Sequence, residues 1–158
     1  MTRYRQIDFL DLQAINGRFM PEIRSKLEEV ISSGLYLFGG EVKNFEKEYA
    51  DFIGTKHCIG VANGLDALRI ILRAYIEMGV MSEGDEVLVP ANTYIATVLA
   101  ITDNRLIPVF VEPDISTYNI DPHQIATKIT KNTRAIMVVH LYGKNALHPE
   151  IEKVVKKY

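Results

Sequence analysis

The chain has 158 residues, 47% hydrophobic and 24% charged, which suits one soluble domain with a core and is too short for two. With 18 Lys+Arg against 20 Asp+Glu the net charge is -2, so no global basic field draws nucleic acid or an anionic membrane, and any anion must be held locally. Cys58 is the only cysteine, no stretch nears ~18 uninterrupted apolar residues, and charges sit where a secretory leader would need its apolar run, so the chain reads as cytoplasmic, without a disulfide or a membrane span.

Residues 16–33 carry Phe19, Ile23, Leu27, Val30 and Ile31 at helical spacing, and Gly34 stands where a helix stop belongs. Val42, Phe45, Tyr49 and Phe52 repeat the pattern over 41–53, closed by Gly54. The register then changes: residues 57–61 form a short apolar run of strand type, followed by Ala62-Asn63-Gly64. A helix is predicted from about Leu65 to Gly79, with Leu68, Ile71, Leu72 and Ile76 on its apolar face. Further on, the pattern predicts strands at 85–90, 105–111 and 134–140 and a helix over 93–102. Asp121 and Pro122 fit the N-cap and first position of another helix, and Pro149 opens a last one. From residue 57 the order is β-α-β-α-β-α-β-α, with strands apolar on both faces. Such strands are covered on both sides, so the fold class is α/β: three layers, a mostly parallel open sheet with helices on both faces.

In open sheets of this kind ligands bind beyond the carboxyl ends of the strands, here Ala62–Gly64, Pro90–Tyr94, Glu112–Asp114 and His140–Gly143. The Asn63-Gly64-Leu65 turn enters a helix, where free N–H groups and the helix dipole favour an anion and glycine lets a phosphate approach. The same Asn-Gly pair also suits a turn with no ligand, and it matches neither the dinucleotide fingerprint nor the P-loop. Tyr94, at the start of the next helix, could support a heteroaromatic ring by stacking or simply pack there. His57, His123 and His148 show no metal-ligand spacing with Cys58 or each other, so no metal site is predicted. No serine sits on a nucleophile-elbow turn.

Taken together, Ile7–Leu10, Ser33–Val42, Phe45-Glu46, Val61–Leu68, Val89–Thr97 and Val139–Gly143, in this order and spacing, resemble the DegT family of nucleotide-sugar aminotransferases. The resemblance implies the aspartate-aminotransferase type of fold and pyridoxal 5'-phosphate as cofactor. Under it, residues 1–54 are an N-terminal helical segment, 55–158 part of the cofactor-binding large domain of a fold-type-I enzyme, and the small C-terminal domain is absent. Asn63, Gly64 and Leu65 would hold the cofactor phosphate, although many relatives carry a threonine or serine where this chain has Leu65. Tyr94 would stack on the pyridine ring, and the loop around Tyr36 and Phe38 would face the sugar nucleotide, often across a dimer interface. Asn63–Leu68 resembles the branch that aminates the 3-position of dTDP-linked 3-keto-6-deoxyhexoses, with an amino donor such as glutamate.

In the family the aspartate that protonates the pyridine nitrogen and the Schiff-base lysine come in segments that would follow Tyr158. The chain is therefore expected to be a fragment, inactive alone, and self-associating through apolar sheet surface left uncovered. Lys144, on the ligand-binding edge, is the one substitute considered for the Schiff base, against a solvated loop lysine at a position that commonly holds glutamine. His140 reads as a hydrogen-bonded structural residue, Asp114 and Asp121 as turn and cap residues, and Lys153, Lys156 and Lys157 as a solvated helix face. Two other readings stay open: a sugar dehydratase of the same family that uses the amine form of the cofactor, and a remnant without chemistry.

Overall fold

Residues 7–158 are described by the computed structural model, in which the chain divides into a unit ending at Gly60 and a second unit, Val61–Tyr158. In the first unit, α1 (Leu12–Gly17) is capped by Asp11, whose carboxylate accepts from the N–H of Ala14 at 2.8 Å. Pro21 stands in the first turn of α2 (Met20–Ser33), and the helix stops at Gly34, whose φ of 66° is a left-handed conformation that glycine adopts without a Cβ penalty. Helix α3 (Gly40–Ile53) ends the same way at Gly54, φ 77°. Phe45 and Tyr49 stack along α3 with centroids 5.5 Å apart, and Ala50 is its buried residue.

The second unit holds α4 (Gly64–Glu77), β1 (Glu86–Pro90), α5 (Ile95–Asp103), β2 (Ile107–Val111), α6 (Pro122–Lys128), β3 (Thr133–Ile136) and α7 (Pro149–Lys157). The three strands are parallel in the order β2-β1-β3, and Leu88 pairs with Val109 on one side and Ile136 on the other. Pro108 lies on the edge strand β2, where a missing N–H is tolerated.

Strand β1 shows how sequence periodicity builds the layers. Val87, Leu88 and Val89 are all fully buried, but successive side chains point to opposite faces. Val87 and Val89 pack with Leu72 of α4 and with Ala100 and Ile101 of α5. Leu88 packs with Ile125 of α6, Ile151 of α7 and Val111 of β2. The sheet is thus sandwiched between α4/α5 and α6/α7, the predicted three-layer α/β arrangement. Truncating Leu88 to alanine would empty the centre of the second cluster, at about 2–5 kcal/mol.

Four expectations need correction. Residues 57–61 form no strand, because the Gly60 N–H donates to Glu46 Oε1 of α3 at 2.7 Å instead of to a neighbouring chain, and no described strand lies beside the segment. The described sheet therefore has three strands where four were predicted. Pairing of β3 stops at Ile136 rather than His140: Met137 N–H still reaches Leu88 O at 2.8 Å, after which the chain turns away into a 3-10 turn, Leu141–Gly143. Finally, Ile71 is 52% exposed, while Leu65, Leu68 and Ile76 join Leu72 on the core side of α4. Ile71 precedes Leu72 by one position, about 100° around the helix, and this carries it off the buried stripe. No described helix is long and apolar enough to cross a membrane.

Candidate functional site

Asn63 takes an extended conformation (φ -165°, ψ 174°) and caps α4: its Oδ1 accepts from the N–H of Asp66 at 3.0 Å, and its carbonyl accepts from Ala67 at 3.1 Å. The N–H groups of Gly64 and Leu65 find no acceptor among the described residues. A Cβ built on Gly64 would meet nothing within 4 Å, so the space over the turn is open. Two unpartnered donors at the positive end of a helix, under open space, suit a phosphate group. The Leu65 side chain packs against the α4/α5 core cluster, so it anchors the turn and offers no hydroxyl.

Asp66 follows in the first turn of α4 and brings a carboxylate to the same place. It is paired on both oxygens: Asn63 Nδ2 donates to Oδ2 at 3.1 Å and Arg69 Nη1 to Oδ1 at 3.2 Å. Arg69 also reaches Asp103 at the end of α5, Nε to Oδ2 at 2.6 Å. The Asp103 hydrogen bond first and the Asp66 bond second push the guanidinium pKa further up. Beneath them, Asn104 Nδ2 donates to the carbonyls of Arg69 (3.1 Å) and Ala100 (2.9 Å), fixing α4 to α5. Sequence reasoning missed Arg69, Asp103 and Asn104. The Asp66–Arg69 spacing of three on a helix was a visible signal, whereas Asp103 is 34 residues away and was not.

Tyr94 follows the carboxyl end of β1 as the N-cap of α5, with an extended ψ of 141° and no side-chain cap bond. Its ring is 76% exposed, while the hydroxyls of Thr93 and Thr97 pair at 2.7 Å on the same turn. A residue so exposed makes little packing within the described residues.

The loops after β1, β2 and β3 enclose an open hollow of about 640 Å³ lined by Asn92, Ser116, Thr117, Tyr118, Tyr142 and Lys144, among others. Asn92 Nδ2 donates to Tyr118 O at 2.9 Å and Asn119 Nδ2 to Asn145 O at 3.0 Å, so the amides tie the three loops together. Tyr118 (φ 59°) and Tyr142 (φ 51°) both adopt left-handed backbone conformations, which are costly for bulky residues. Lys144 lines this hollow and forms no ion pair among the described residues. His140 accepts the N–H of Ala146 on Nδ1 at 3.0 Å, the structural role expected of it. Three donors surround Asp114: the Ser116 hydroxyl, the Ser116 N–H at 2.8 Å and the Thr117 N–H at 3.0 Å. The hydroxyl is the largest cause of a carboxyl pKa held below the ordinary range.

In the first unit, Tyr36 is 64% exposed, its hydroxyl donating to Ile31 O at 3.2 Å, and Phe38 is 86% exposed on a left-handed backbone (φ 53°). Among the described residues no group of three His, Cys, Asp or Glu could hold a metal.

The layered fold and the Asn63–Leu68 turn agree with a family-level match. Residues 19–158 match the DegT/DnrJ/EryC1/StrS aminotransferase family, and the chain belongs to it. It is 56% identical, over 96% of its length, to a dTDP-3-amino-3,6-dideoxy-alpha-D-galactopyranose transaminase of Aneurinibacillus thermoaerophilus. It is 40% identical, again over 96%, to a UDP-2-acetamido-2-deoxy-3-oxo-D-glucuronate aminotransferase of Pseudomonas aeruginosa. It spans 41% of the length of each of these relatives. Among solved structures, S. venezuelae DesV in complex with a ketimine intermediate superposes with a TM-score of 0.88 at 38% identity, covering 98% of this chain and 40% of that one.

Proposed function

We propose that this chain serves the pyridoxal-phosphate-dependent amination of a nucleotide-linked keto sugar, with a dTDP-3-keto-6-deoxyhexose aminated at its 3-position as the substrate and glutamate as the amino donor. The observation that carries this reading is the α4 turn, where the N–H groups of Gly64 and Leu65 stand unpartnered in a chain of this family. The 56% identity to a dTDP-3-amino-sugar transaminase supports the choice of sugar.

Each residue then has a defined task. Gly64 and Leu65 bind the cofactor phosphate through their N–H groups, and Asn63 holds the turn that presents them. The exposed face of Tyr94 supports the pyridine ring by offset stacking. Tyr36 and Phe38 contact the sugar nucleotide. When bound, pyridoxal phosphate supplies the electron sink for the transfer of the amino group. Lys144 lines the hollow at the carboxyl edge of the sheet, but as a solvated loop residue it is not assigned the covalent role. A homodimer is the proposed state, in which a second copy would cover the apolar surface exposed at Phe19, Leu27, Ile31, Phe45 and Phe52, and the cytoplasm is the proposed compartment.

The deciding experiment incubates the chain with pyridoxal phosphate, follows binding by 31P NMR, and then adds borohydride for intact-mass analysis. Phosphate broadening without a covalent adduct is expected. An adduct mapped to Lys144 would move the covalent role to that residue, and an unchanged phosphorus signal would remove the cofactor reading altogether.

A further inference from the structure

We propose that Arg69 and Asp103 are positioning residues for the anion site at the head of α4, acting through Asp66; this rests on the reading of that turn as the cofactor-phosphate site. The difficulty they resolve is electrostatic. An N-terminal carboxylate stabilises a helix, so Asp66 is well placed for α4 itself. For a phosphate arriving at the N–H groups of Gly64 and Leu65, the same carboxylate is a like charge within the same first turn. Left unpaired it would repel the anion, and its swing toward the open N–H groups would compete for the same donors.

The side chains around it prevent both. Asn63 Nδ2 fixes one Asp66 oxygen at 3.1 Å and Arg69 Nη1 the other at 3.2 Å, so both carboxylate oxygens are already engaged. Arg69 cannot move freely, because Asp103 of α5 holds Nε at 2.6 Å and also contacts the far nitrogen of the guanidinium. Asn104, which is buried, adds a bond to the Arg69 carbonyl at 3.1 Å and so sets the backbone from which the guanidinium projects. Asp103–Arg69–Asp66–Asn63 is thus a continuous relay from the end of α5 to the N-cap of α4. The guanidinium balances Asp66, Asp103 aims the guanidinium, and Asn63 stays in the extended conformation that leaves two N–H groups free.

A merely structural relay and a relay that serves the anion make different predictions. The test measures dissociation constants of pyridoxal phosphate and of pyridoxal, which lacks the phosphate, by fluorescence titration of the chain. The wild type is expected to prefer the phosphate form. Arg69→Met uncovers Asp66 and is expected to weaken pyridoxal phosphate by about three- to tenfold, with pyridoxal unchanged. Adding Asp66→Asn to that variant removes the exposed carboxylate and is expected to restore the preference, which repair of a structural defect would not do. Arg69→Lys keeps the positive charge but not the fork that reaches Asp66 and Asp103 together, and provides a milder version should Arg69→Met fold poorly. Equal weakening of both ligands, or no restoration in the double variant, overturns the role of Arg69. A wild type without any preference removes the phosphate site itself and the inference with it.

Discussion

Asn119 donates its side-chain amide to the carbonyl of Asn145 at 3.0 Å, joining the loop after β2 to the loop after β3 across 26 residues of chain. The residue is only 6% exposed, so the bond is sheltered from water. Asn119→Ala leaves the Asn145 carbonyl without this donor and should cost about 1–3 kcal/mol in urea unfolding followed by circular dichroism. Asn119→Asp should cost more, since it buries a charge where an amide stood.

Leu65 poses a choice between core and ligand. Leu65→Thr replaces a side chain packed on the α4/α5 cluster by one with a hydroxyl at the second position of the helix. The variant should lose about 1 kcal/mol of stability through lost apolar contact. It should bind pyridoxal phosphate several-fold more tightly, with one added hydrogen bond worth about 1 kcal/mol. Paired thermal melts and ligand titrations read both effects, and a variant that loses stability without gaining affinity would show that the phosphate does not approach this position.

Tyr94 separates stacking from packing. Because the ring is 76% exposed, Tyr94→Ala should change stability by no more than about 0.5 kcal/mol. Pyridoxal phosphate should nevertheless bind it more weakly, by about 0.5–1.5 kcal/mol, while Tyr94→Phe keeps the ring and the affinity. A large drop in melting temperature for the alanine variant would return Tyr94 to a core role.

Asp114 sets a direction for the pH response of the loop after β2. The Ser116 hydroxyl, followed by the Ser116 and Thr117 N–H groups, holds its carboxyl below the unfolded value. A folded value lower than the unfolded one contributes stability that is complete above about pH 4 and disappears as pH falls through the depressed folded value. Asp114→Asn should remove this component, so that the two proteins differ by a constant amount above about pH 4 and converge as pH falls from there through the depressed folded value. Denaturation midpoints from pH 2 to pH 7 would check this, and parallel curves throughout that range would count against the donor cluster.

Much of the fold follows from local chemistry that can be read along the chain. Gly34 and Gly54 end their helices because a left-handed residue without a Cβ is the cheapest stop, and Asp121-Pro122 opens α6 through a side-chain acceptor and a proline that needs no donor. The alternating helix and strand pattern likewise implied layers on both faces of a parallel sheet, and Val87, Leu88 and Val89 meet that expectation on the central strand. The Asn63-Gly64 turn was legible too, since an N-cap and a free helix end depend on residues three apart. The rest depended on tertiary structure. Residues 57–61 have strand composition, yet a strand exists only with a partner, and here the Gly60 N–H turns to Glu46. Ile71 and Leu72 are equally apolar, and only the packing of α4 on α5 decides which is buried. The relay from Asp103 to Asn63 joins groups far apart in sequence, so no local pattern announced it. What the sequence determines alone is what depends on neighbouring residues; pairing, burial and long-range charge balance are decided when the elements meet.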